Sequence, residues 1–95
     1  MWAVANANDP TADFPEQVAQ TLAHLEAGLA EAGSDRTRLL SVQVILAHIA
    51  MRGTFDELWV EWIGPDPAHW PQRAIYEGRP SPGLLIEIIA TATRS

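Results

Sequence analysis

The stretch from Asp13 to Gly33 admits one structure, and the rest of the chain has to be arranged around it. Asp13 followed three residues later by Glu16 is a capping pattern, and Pro15 falls in the first turn, where its missing N–H costs nothing. Val18, Leu22, Leu25 and Leu29 then recur at helical spacing and make a single apolar stripe. Gly33 supplies the left-handed residue that closes such a helix. A helix with one stripe cannot bury it alone. A chain of this length buries only roughly 60–65% of the surface its unfolded form exposes, so the cover must come from the same small domain.

The remaining segments read mainly as strands. Residues 1–7 are short, apolar and β-compatible, and Asn8-Asp9-Pro10-Thr11 is a turn. Ser34 to Thr37 is a short connection of about one helical turn. Residues 39–47 form a strand with Ser41 and Gln43 on one face and Leu40, Val42 and Val44 on the other. Thr54 and Glu57 make a second capping pattern. It leads a helix with Phe55, Leu58, Trp59, Trp62 and Ile63 on one side, ended by Gly64-Pro65. After a loop from Asp66 to Trp70, residues 73–77 and 84–93 are the last two strands. The turn from Gly78 to Gly83 predicts that they lie side by side and antiparallel. The order is β-α-β-α-β-β in one domain over residues 1–95, an α+β layer with both helices on one face of the sheet.

Composition removes several function classes. The chain is 47% hydrophobic and 19% charged, the balance of a folded domain. Six arginines and no lysine stand against twelve acids, for a net charge of −6. A nucleic-acid binder needs a basic patch that displaces counterions from phosphates, and Arg36 and Arg38, the closest approach to one, have Asp35 beside them. Without cysteine there is no disulfide, thiol nucleophile or cysteine–metal site. The three histidines lack the i, i+4 spacing of a zinc pair; His24 is expected to face solvent and His69 to border a pocket near Arg73. No apolar run reaches the ~20 residues of a membrane span, and Met1-Trp2-Ala3-Val4 does not begin a signal peptide. Cytosol is the default compartment. Met1 falls inside a strand pattern, so the natural start is expected to lie upstream by about the length of a hairpin.

Two residues carry the chemistry. Arg73 offers a planar fork that grips a carboxylate, and the Glu87 carboxylate can hold and activate water. If their strands are neighbours, both face one small volume, a site for a small carboxylate-bearing molecule that is hydrolysed. The bland alternative is an ion pair at a sheet edge. Trp59 and Trp62 share a helix face with apolar residues and read as core or subunit packing. Trp70, in a loop, reads as lining a pocket or an interface.

Taken in order, several pieces form a pattern. They are Gln17-x-x-Gln20-Thr21-Leu22-x-x-Leu25-x-x-x-Leu29-x-x-Ala32-Gly33, the 39–47 strand, the Phe55…Trp59…Trp62 helix, Pro71-x-Arg73 and Ile86-Glu87-Ile88. This pattern resembles the Rid family of reactive intermediate deaminases, also called YjgF-like proteins, over about residues 2–93. The resemblance implies a chorismate-mutase-like α+β fold assembled as a homotrimer, with ligand clefts between subunits. It implies that Arg73 binds the substrate carboxylate and that Glu87 holds the attacking water. The implied substrates are 2-enamine and 2-imine acids, the products are 2-oxo acids and ammonia, and no cofactor or metal takes part.

The chain departs from the family in places. Family members begin with an extra hairpin that supplies an aromatic residue to the cleft. Where the family often has Ser-Gly near the ligand, this chain has Ala5-Asn6, and where it has Cys or Gly two residues past the arginine, this chain has Ile75. Asp56 stands where the second helix usually places Asn; it reads as a solvated helix charge, and would repel a carboxylate ligand if it faced the cleft. The alternative to a deaminase is a non-catalytic trimeric protein of the same fold that binds small metabolites or a partner. The endoribonuclease and translation-inhibitor labels attached to this family sit poorly with an acidic chain.

Overall fold

Asp13 caps the first helix as its sequence requires: its carboxylate accepts from the backbone N–H of Glu16 at 3.0 Å. In the computed structural model, which describes residues 1–94, that helix is α1 (Phe14–Glu31). Its stripe of Phe14, Val18, Leu22, Leu25 and Leu29 is buried, and Gly33 follows at φ +76°. The other elements are β1 (Trp2–Asn6), β2 (Leu39–Leu46), α2 (Arg52–Ile63), β3 (Gln72–Glu77) and β4 (Ile86–Ala92). The α+β class and the element order are those expected.

The second capping pattern is not used. Ile49–Met51 already wind into a 3-10 turn, and α2 starts at Arg52 with no side-chain cap, leaving Thr54 inside the first turn. Phe55, Trp59 and Ile63 face the core.

The sheet order is β1-β4-β2-β3, with β2 and β3 parallel and the other pairs antiparallel. This corrects the expected hairpin, because β3 and β4 run in opposite directions but β2 lies between them. The Gly78–Leu85 connection straddles the end of β2. Gly78 N–H donates to Leu46 O on one side at 3.0 Å, and Ala47 N–H donates to Leu85 O on the other at 2.9 Å. Crossing one strand means spanning about 10 Å, which a connection of this length does easily.

Side chains alternate across the sheet. Val42, Val44, Leu46, Ile86, Ile88, Ala90 and Ala5 lie under the helices and form the core with the two helix stripes. Leu40 was expected among them and is instead exposed. A β-bulge between Leu39 and Ser41 shifts the register, so Leu39 is buried in its place. The opposite face carries Trp2, Val4, Asn6, Ile45, Tyr76, Glu87 and Ile89, and neither helix covers it. Among the described residues, no helix is long and apolar enough to cross a membrane.

Candidate functional site

Arg73 lies on β3, an edge strand. It pairs in register with Val42, whose side chain is buried under the helices, so Arg73 points to the helix side. There α2 receives it. The guanidinium lies 5.9 Å from the centroids of both the Phe55 and Trp59 rings, and Nη2 lies 2.9 Å from Asp56 Oδ1. The Arg73 side chain is 24% exposed.

Trp70 joins it, as its loop position suggested. Its indole N–H donates to Gly64 O at 2.9 Å, which fixes the ring over the end of α2. Trp70, Pro71, Arg73, Trp59, Val60 and Ile63 line one hollow of about 190 Å³. Ile75, two residues along, points the same way and is half-buried. His69 is not part of this hollow. It ends a 3-10 turn over Pro67–His69, with Nδ1 4.0 Å from Asp66.

Glu87 stands elsewhere. It pairs with Ile45 on one side and Asn6 on the other, which puts all three on the helix-free face. Its side chain is half-buried, and its carboxylate makes no hydrogen bond or ion pair with the described residues. The neighbouring Asn6 Oδ1 is occluded from solvent and also lacks a donor. Asn6 O accepts a 2.7 Å hydrogen bond from His24 Nδ1, so His24 has a structural partner although it is exposed as expected.

Arg73 and Glu87 therefore do not face one volume within a chain. They lie on opposite faces of the sheet with β2 between them, because the hairpin that would have joined them does not form. Ala5 and Asn6 are separated in the same way by the strand's period of two. The Ala5 methyl packs in the core, leaving only its backbone for a ligand, while Asn6 stands beside Glu87.

Asp56, expected as a solvated helix charge and a hazard only if it faced the cleft, is instead Arg73's direct partner. The signal was its place one residue after Phe55, on the side of α2 that turns toward β3. Among the described residues, no three His, Asp or Glu side chains gather closely enough to hold a metal ion.

Comparison with known proteins adds a consistent result. The model of the family Endoribonuclease L-PSP matches residues 3–94. A RutC family protein of Haemophilus ducreyi is 34% identical over 85 residues, covering 88% of this chain and 71% of the relative. A second, from Haemophilus influenzae, is 30% identical over 79 residues, covering 82% of this chain and 66% of the relative. Among solved structures, an uncharacterized protein of Pseudomonas aeruginosa superposes with a TM-score of 0.87 at 31% identity, covering 98% of this chain and 80% of that one. A YjgF family member from Neisseria meningitidis gives 0.87 at 25% identity, covering 98% of this chain and 76% of that one. A match across nearly the whole chain, with the same fold in those structures, makes this protein a member of the Endoribonuclease L-PSP family, the YjgF/RutC proteins.

Proposed function

We propose that the protein is a cytoplasmic deaminase that hydrolyses 2-imine and 2-enamine acids to 2-oxo acids and ammonia, at sites built between subunits of a homotrimer. Arg73 binds the substrate carboxylate and Glu87 holds the water. The observation that carries this reading is Glu87, a half-buried carboxylate with no partner among the described residues, on a sheet face that no helix covers. A carboxylate that keeps contact with water and has no protein partner is free to hold a water molecule at that face.

The chemistry asks little of the protein. The imine carbon is already electrophilic, so the site has to anchor the acid and aim one water at C2. Water adds to C2 of the protonated imine as Glu87 accepts one of its protons, giving a neutral carbinolamine. Glu87 then returns that proton to the nitrogen, and the C–N bond breaks to release ammonia. The hydroxyl gives up its proton to the departing ammonia, and a 2-oxo acid remains. Ile75, Trp70 and the backbone at Ala5 would contact the substrate's apolar part, and Asn6 would hold the water beside Glu87.

The two residues can act together only if two copies meet, the β3 edge of one against the free sheet face of the next. Such a contact is heterologous, and closing it produces a ring. Three copies is the number that the family resemblance implies. The exposed apolar residues on that face, Trp2, Val4 and Tyr76, support burial there.

The ion pair between Asp56 and Arg73 favours a second reading, a trimeric protein that binds small metabolites without turning them over. An assay in which an amino-acid oxidase generates the imine in situ separates the two. Ammonia release faster than the uncatalysed rate, lost in Glu87→Gln, supports the deaminase; binding of 2-oxo acids with no acceleration supports the second reading. Arg73→Ala is expected to abolish carboxylate binding in an intact assembly. Lysine at that position should not restore it, because a point charge cannot reproduce the fork. Nucleic acid is not a partner in this proposal, in keeping with the net charge of −6.

A further inference from the structure

Arg73 is already engaged by the protein itself. Asp56 Oδ1 lies 2.9 Å from its Nη2, while Asp56 Oδ2 lies 3.7 Å from Arg52 Nε on the preceding turn of α2. Asp56 Oδ1 is occluded from solvent and makes no aligned hydrogen bond, so attraction to Arg73 is what offsets its desolvation. The Phe55 and Trp59 rings hem in the same guanidinium.

We propose that Asp56 is an internal carboxylate that occupies Arg73 until a ligand arrives, and that it makes the site select acids bearing a cationic nitrogen next to the carboxylate over simple 2-oxo acids. This rests on Arg73 being the carboxylate anchor, as proposed above. A ligand carboxylate must take Arg73 donors that now face Asp56. The guanidinium has enough N–H groups to serve two carboxylates, but both negative charges then share one small volume and repel. A 2-oxo acid brings only negative charge. An α-amino acid, or a protonated 2-imine acid, carries a cationic nitrogen on the carbon beside its carboxylate. Its carboxylate takes Arg73 while its nitrogen faces Asp56, so one internal pair is exchanged for two. The Arg52 side chain is 55% exposed and too well solvated to screen Asp56 in the same way.

For an imine hydrolase this amounts to telling substrate from product. The protonated imine acid is a zwitterion, and the 2-oxo acid it becomes is not. Loss of the nitrogen removes Asp56's partner and restores its hold on Arg73, which expels the product.

Calorimetric titration of the full assembly with 2-aminobutanoate (a stable stand-in for the zwitterion) and with 2-oxobutanoate tests this. The parent is expected to bind the amino acid more tightly. Asp56→Asn should bind the oxo acid about three- to tenfold more tightly than the parent does and the amino acid no more tightly, so the preference disappears or inverts. Asp56→Ala should behave alike, which guards against a new contact made by the amide. An unchanged ratio in both variants, with Arg73→Ala still abolishing binding, overturns the role of Asp56 and leaves the anchor standing. Binding by Arg73→Ala as strong as the parent's overturns the anchor and this inference together, as does a parent that binds neither acid.

Discussion

Gln17 holds two loops to α1 from inside the core. It is 1% exposed, and its amide is fully used: Nε2 donates to Ala12 O at 3.1 Å and Gly83 O at 3.2 Å, and Oε1 accepts from Leu85 N at 2.8 Å. Gln20 does the same for the turn after β1, its Oε1 accepting from Asn8 N and Asp9 N, both at 3.1 Å. Gln17→Leu keeps the volume but leaves three backbone groups without this partner, and should lower stability by about 2–4 kcal/mol in urea denaturation. Loss below about 0.5 kcal/mol would mean that the loops find other partners. Both glutamines belong to the pattern that pointed to the family, yet no local feature supplies a physical reason for Gln17. Two of its partners lie 66 and 68 residues away and meet it only after the sheet has formed. Asp56 was obscure for the same reason. Its charge was legible, but its contact with Arg73 depends on α2 lying beside β3.

At the scale of elements, identity was legible and neighbours were not. The alternation in residues 86–92 marks a strand, but nothing local states that β2 separates it from β3. The two capping patterns differ in the same way. Asp13 bonds the Glu16 N–H and starts α1, whereas Thr54 is overtaken by a helix that begins at Arg52. Asp13→Ala should therefore cost about 0.5–2 kcal/mol. Thr54→Ala should stay within about 0.5 kcal/mol, and a larger loss would restore its role as a cap.

A 3-10 turn over Arg36–Arg38, capped by Asp35, precedes β2 and makes stability depend on pH. Asp35 accepts from the Thr37 hydroxyl and from Thr37 N–H at 2.8 Å, and these bonds hold its carboxyl below the usual range. A folded value below the unfolded one stabilises fully above the unfolded pKa, about 3.9, and the contribution fades as pH falls through the folded value. Side-chain carboxyl shifts followed by NMR should place the Asp35 midpoint below that of an unfolded peptide. An equal midpoint would remove the effect.

The whole molecule is lopsided. One sheet face is closed by two helices. The other leaves Trp2 68%, Val4 45% and Tyr76 43% exposed around Glu87, which has no partner among the described residues. Arg73 and Glu87, the proposed anchor and water-holding residues, lie on opposite faces of the sheet within one chain, so in the proposed site one copy supplies Arg73 and the next supplies Glu87. Sedimentation should find a trimer at micromolar concentration, and a stable monomer would leave the two residues apart. Mixing tests the claim most directly. Arg73→Ala and Glu87→Gln are each expected to be inactive alone. Unfolded together in equal amounts and refolded, they should form rings in which about a quarter of the interfaces pair an intact Arg73 with an intact Glu87. Ammonia release near a quarter of the parent's is the predicted result; mixed rings as inactive as either variant alone would contradict a site shared between copies.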